Sequence, residues 1–200
     1  MNDWLKRYPK NISGGLMVRP MQPSDEAEIL SFYKKIPVDE RQLFREDVTD
    51  PAVIQGWVRN LDYGRVLSLF AFLGPRIVAD ATLHRDSGGW ARHLGRVRLT
   101  IDPDFRRQGL ARLLMKEFID LAKPLAVAIL EAEVLDVQKQ AGLLFEDMGF
   151  QCVATLQQHE IDLKGRVHDT RLFAQMINLP EGLAPEAKGK EADADVGGVG

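Results

Sequence analysis

Sulfur chemistry is nearly missing from this chain: Cys152 is the one cysteine among 200 residues. No disulfide can close within it, and no cysteine-rich metal or redox motif can form. The histidines are as sparse. His84, His93, His159 and His168 are the whole set, and no pair has tight ligand spacing, so no metal is expected. No apolar run approaches the roughly 20 residues that span a bilayer, which argues against a membrane protein. The opening Met1-Asn2-Asp3-Trp4-Leu5-Lys6-Arg7 has no apolar signal core behind it, and a cytoplasmic setting is expected. Net charge is only −3, so nothing in the bulk charge favours nucleic acid. Neither a Gly-x-x-x-x-Gly-Lys-Ser/Thr nor a Gly-x-Gly-x-x-Gly string occurs, which counts against a nucleotide-binding α/β domain.

What is present is ordinary globular composition, 45% hydrophobic and 28% charged, at a length that suits one domain with tails. Residues 1–15 read as a flexible lead-in. Leu16 to Pro20 reads as a first strand, and a helix opens at Ser24 or Asp25 and ends at Pro37. A second helix follows Asp50-Pro51, carries Val53, Ile54, Trp57, Val58 and Leu61 at helical spacing, and closes by Gly64. Val66–Leu73 and Arg76–Leu83 form an apparent hairpin across Gly74-Pro75. In Gly95–Ile101, Val97, Leu99 and Ile101 alternate with Arg96, Arg98 and Thr100, the period of a half-buried strand.

From Gly109 the period becomes helical. Leu110, Leu114, Phe118 and Leu121 face one way, Arg112, Lys116 and Asp120 the other, until Pro124. Leu125–Val134 reads as a mostly buried strand, Val137–Met148 as a helix capped by Gly149, and Phe150–Ile161 and Thr170–Ile177 as closing strands. Residues 180–200 have almost no large apolar side chains and are expected to be disordered. The fold class is mixed α/β, one sheet with helices packed against it.

The informative segment is Ile101-Asp102-Pro103-Asp104-Phe105-Arg106-Arg107-Gln108-Gly109-Leu110-Ala111. A strand ends, a short loop follows, and a helix opens. Free backbone N–H groups and the positive end of the helix dipole make an anion site there. Gly109 permits close approach, Ala111 stays small, and Arg106, Arg107 and Arg112 add charge that no acid in the loop offsets. A pyrophosphate would suit this geometry. The Arg/Gln-x-x-Gly-x-Gly/Ala pattern alone is weak, but its strand–loop–helix setting and the second strand–helix pair beyond it are more specific.

That loop, the strand Ala128–Val134, and Gln138-Lys139-Gln140-Ala141-Gly142-Leu143-Leu144-Phe145-Glu146-Asp147-Met148-Gly149-Phe150 together resemble the GNAT N-acetyltransferase family. Val18-Arg19-Pro20-Met21 with Asp25 is similar to the family's opening. The resemblance runs from about Leu16 to Ile177 and implies one domain over 16–179. It implies a mostly antiparallel central sheet with a splayed strand pair and helices on both faces. It also implies transfer of acetyl from acetyl-CoA, a co-substrate, to an amine in a ternary complex. Leu99, Thr100 and Ile101 would meet the pantetheine arm. Arg106, Arg107, Gln108, Gly109, Leu110, Ala111 and Arg112 would hold the pyrophosphate. Gln138 stands where many members place Asn, and Phe145 where many place a proton-donating tyrosine. A phenyl ring cannot donate a proton, so the alternative of a non-catalytic acyl-CoA-binding module stands beside the enzyme.

For the base, Glu133, Asp136 and His84 are the candidates; each also reads as an ordinary strand or loop residue. The arginines at 92, 96 and 98 would attract an acidic acceptor or simply form a solvated face. Trp90, in Gly88–His93, is either a substrate anchor or a residue packed on the sheet. Gly165–Asp169 is likewise either a mobile substrate loop or a packed hairpin; the family resemblance implies an edge of the acceptor side. Cys152 is expected to be inert within an apolar strand. Edge strands leave a homodimer open.

Overall fold

The computed structural model describes residues 3–86 and 88–178; the expected disordered tail lies outside them. Eight strands form one sheet: β1 (Lys10–Asn11), β2 (Leu16–Pro20), β3 (Val66–Leu73), β4 (Arg76–Arg85), β5 (Leu94–Ile101), β6 (Ile129–Leu135), β7 (Gln151–Ile161) and β8 (Val167–Met176). Their order is β1-β2-β3-β4-β5-β6-β8-β7. Every neighbouring pair is antiparallel except β5 with β6. Five α-helices accompany them: α1 (Glu26–Lys35), α2 (Val38–Arg41), α3 (Pro51–Arg59), α4 (Leu110–Ala122) and α5 (Lys139–Asp147).

Local chemistry sets the helix starts. Asp50 accepts from Ala52 N at 2.8 Å, with Pro51 in the first turn of α3. Asp25 accepts from Gln22 N at 2.8 Å and takes both guanidinium nitrogens of Arg19 at 2.7 Å. The end of β2 is thereby fastened to the start of α1 by a bidentate pair whose carboxylate is buried.

The sheet buries a different cluster on each face. On one, α1 and α3 give Ile29, Phe32, Tyr33, Ile54 and Val58 to Phe70, Phe72 and Ile77. On the other, Leu114, Phe118 and Leu121 of α4 and Phe145 of α5 pack on Leu67, Leu69, Leu83, Val97, Leu130 and Phe173. β3 is covered on both faces, which explains its unbroken apolar reading.

Three expectations need correction. The lead-in is not loose over residues 3–15: it forms a 3-10 turn (Asp3–Arg7) and β1. Trp4 is buried edge-on to Tyr8 and Tyr63, an area large enough to hold a short segment down. The strand expected from Leu125 starts only at Ile129, because Ala126 adopts a left-handed φ of 55°. Its burial alternates, with Glu131 and Glu133 on the less covered face. Cys152 is exposed, on the edge strand β7.

Candidate functional site

The first part of the site is the loop between β5 and α4. Asp102 is buried and caps a 3-10 turn through Asp104 N at 3.1 Å. Arg76 bonds Asp102 at 2.7 Å and Asp104 at 3.0 Å and lies over the Phe105 ring. The loop is therefore braced from β4 before it turns. Arg107 and Gly109 then both take left-handed φ, 59° and 84°, an arrangement that directs successive peptide N–H groups into one concavity. Among the described residues the N–H groups from Arg107 to Arg112 find no acceptor. A Cβ placed on Gly109 would meet nothing within 4 Å, so the space in front of this helix start is open.

The loop's arginines are not uncompensated, contrary to the sequence reading. Arg106 makes a two-toothed pair with Glu40 of α2 at 2.8 and 2.7 Å, and Arg112 pairs with Asp147 of α5. Both acids come from elements distant in sequence, which a local scan cannot reach. Arg107 makes no ion pair among the described residues. Gln108 donates back to Asp104 O at 3.2 Å.

The second part is a gap in the sheet. β5 and β6 pair at Leu94↔Ile129, Gly95↔Leu130 and Arg96↔Glu131 and nowhere beyond. Both strands continue, to Ile101 and Leu135, so they diverge. Leu99, Thr100 and Ile101 lie on the unpaired stretch. Gly95 sits at the closed end, where a Cβ would come 2.7 Å from Leu83 and 3.2 Å from Leu130. Across the gap, Gln138 precedes α5 and accepts from Leu135 N at 3.0 Å, leaving its amide nitrogen unused. Phe145 is buried against Phe150 and Phe173 and brings no polar group.

The third part is a polar row on the α1 face of the sheet. Register places His84 opposite Arg96 and Arg96 opposite Glu131. Two sequence candidates, His84 and Glu133, thus lie on one face beside Arg96. Glu133 is bound by Arg45 and, at 3.2 Å, by Arg96. Arg45 also reaches Glu160 at 3.5 Å. It belongs to the segment after α2, which Leu163 N holds through Gln42 O at 3.0 Å. The turn between β7 and β8 therefore borders this side through Leu163. Asp136 is occupied elsewhere, 3.1 Å from His168, which also touches the buried Asp162 at 3.2 Å. Trp90 stands 85% exposed and does not pack on the sheet.

Burial and the nearby Arg98, Arg45 and Arg96 push the His84 pKa down to about 4, so its ring is neutral at pH 7. Its Nε2 lies 3.2 Å from Thr82 Oγ1. One step further along β4, Asp80 is buried and accepts from the Tyr33 hydroxyl at 2.6 Å. Burial raises its pKa to about 7 against the opposing pull of that hydrogen bond, and its other oxygen has no partner. Sequence reasoning missed Asp80, Tyr33 and Arg45. Asp80 had a signal, a single acid inside the apolar run Ile77–Ala81. Arg45 had none.

Fold, open helix start, strand gap and polar row together make the candidate site. The Acetyltransferase (GNAT) family model matches residues 27–150, more than half the chain. The protein belongs to the GNAT acetyltransferase family. No curated protein matches it. Its fold is shared with solved structures at low identity. A GNAT-family acetyltransferase from Streptococcus pneumoniae is 21% identical, with TM-score 0.69 over 81% of this chain and 99% of that one. The yncA protein of Salmonella typhimurium, solved with acetyl-CoA, is 19% identical, with TM-score 0.69 over 87% and 99%. The ribosomal-protein-S5-alanine acetyltransferase of Vibrio fischeri is 13% identical, with TM-score 0.74 over 84% and 96%. Among the described residues no helix is long and apolar enough to cross a membrane, and no group of three or more metal-ligating side chains forms.

Proposed function

We propose that the protein is an N-acetyltransferase that moves acetyl from acetyl-CoA to a primary amine by direct attack in a ternary complex. The observation that carries this reading is the alignment of the strand gap with the open N–H groups from Arg107 to Arg112. A pyrophosphate suits that helix start. An extended arm suits the unpaired edge of Leu99–Ile101, with the Gln138 amide across from it. The thioester would then lie near the closed end of the gap, beside the row of His84, Arg96 and Glu133.

The chemistry asked of these residues is modest. The amine nitrogen bonds to the thioester carbon as the C–S bond breaks, and the nitrogen loses a proton. His84, held neutral, and Glu133 are the acceptors within this row. Glu133 is already engaged by two arginines, Arg45 and Arg96. Phe145 cannot protonate the thiolate, so that proton comes from water or from another group. The same residue favours a second reading, a non-catalytic acyl-CoA-binding module. The exposed edge of β7 is compatible with a homodimer.

Thermal shift with CoA, acetyl-CoA and ATP tests the binding half. At ligand 100-fold above Kd the expected stabilisation is about 2.7 kcal/mol. It should appear with both CoA species in the wild type and vanish in Gly109→Trp. A shift by ATP and not by CoA sinks the assignment. Thiol release across an amine panel then separates enzyme from binder, since binding without release supports the second reading.

A further inference from the structure

The polar row contains one cation that its own acids do not answer. Arg96 has Glu133 at 3.2 Å and Glu131 at 3.8 Å, and Arg45 has Glu133 and Glu160. Arg98 lies two residues beyond Arg96 on the same face of β5, opposite Thr82. Among the described residues it makes neither an ion pair nor a side-chain hydrogen bond. It projects from the unpaired stretch of β5, past the last β5–β6 pair at Arg96↔Glu131. Resting on the acetyltransferase reading above, we infer that Arg98 anchors a carboxylate of the acceptor, which makes the acceptor an amino acid or a closely related amine bearing a carboxylate near its nitrogen.

The surrounding charges agree with a zwitterion. A guanidinium presents a planar fork that matches a carboxylate in two hydrogen bonds. Glu131 and Glu133 lie on β6 across the gap, both already engaged by arginines, and an ammonium group brought beside them would share those pairs. A doubly charged phosphate would meet the same glutamates and be repelled, so the monoanion is favoured. The arginine's own state points the same way. Although Arg98 reaches solvent, the surrounding protein and Arg45 push its pKa below the ordinary guanidinium range; Glu133 opposes this and Arg96 adds to it. A cation so placed among like charges gains from an anion.

The test is steady-state acetyl transfer by the full chain to a panel of L-amino acids and to the amides of the same amino acids. Wild type, Arg98→Gln and Arg98→Lys are compared. For the wild type the acid should exceed its amide by about tenfold or more in kcat/KM, the difference lying in KM, as expected for one charged hydrogen-bonded contact. In Arg98→Gln that ratio should fall to about one, and in Arg98→Lys part of it should survive. Equal use of acids and amides by the wild type overturns the inference. So does an equal loss on both series in Arg98→Gln, which would place Arg98 at the thioester or in folding. Transfer to neither series, with acetyl-CoA still stabilising the protein, overturns it as well. Failure of acetyl-CoA to stabilise the wild type instead sinks the transferase reading itself.

Discussion

Asp80 and His84 share one face of β4 and respond to acid in opposite senses. The unfolded His84 gains its proton near pH 6.5 and the folded one only near 4. Its contribution to stability is therefore lost as pH falls between those values. Asp80 runs the other way. The folded carboxyl keeps its proton up to about pH 7 while the unfolded one ionises near 3.8, so stability declines as pH rises from about 4 through 7. The two trends offset each other in the wild type. Urea unfolding at stepped pH should show His84→Gln losing stability steadily from pH 4 to 7. Asp80→Asn should instead gain stability up to pH 6.5 and level off. A wild-type-shaped curve in either variant refutes its assignment. This balance was invisible in the sequence. His84 is a candidate base from its residue type alone, and its neighbours Arg96 and Arg98 reach it only through strand register. Arg45 comes from further still, and 88 positions separate it from Glu133.

Elements were more legible than their assembly. β3 and the start of β4 fell where the apolar runs and the Gly74-Pro75 turn placed them, because both signals are local. β8 starts earlier than expected, at Val167, since its first residues pair with β7 and carry the buried His168 between two carboxylates, a long-range arrangement. β6 starts later, since a left-handed turn at Ala126 precedes it. Two predictions belong to this scale. Gly95→Ala puts a methyl group against Leu83, Val127 and Leu130 where β5 and β6 are closest. Overpacking of this kind costs about 1–3 kcal/mol, read as a lower urea midpoint, and unchanged stability would mean the strands have room to part. Glu40→Gln releases Arg106 from its paired carboxylate. A surface pair contributes about 1 kcal/mol or less, so stability should hardly move. Acetyl-CoA should bind more tightly, by isothermal titration, because Arg106 is free to meet phosphate; weaker binding would show that Glu40 instead positions the arginine.

At the scale of the molecule, the sheet is a partition with a separate apolar cluster on each side. The N-terminal segment closes one of them. Trp4 at 5% exposure makes residues 3–15 part of the folded body. Trp4→Ala is expected to lower stability by about 3–5 kcal/mol, measurable by calorimetry, whereas a loss below the noise would return those residues to the role of a loose lead-in. The GNAT resemblance carried the partition correctly, helices on both faces included, because fold follows the order of elements. It could not carry the ion pairs of Glu40, Asp147 and Arg45, which depend on this chain's own side chains.

The three-residue ladder between β5 and β6 has a mechanical consequence. β1 to β5 on one side and β6 to β8 on the other are two plates joined by a short seam and by the Arg112–Asp147 pair between α4 and α5. An extended molecule bonded to both lips of the gap would take the place of a missing strand and lock the plates together. Amide hydrogen exchange would register this away from any contact with the ligand. Protection should rise along Leu94–Arg96 and Ile129–Glu131, at the seam itself, when the gap is filled. The free protein would be a hinge, and the loaded one a single board.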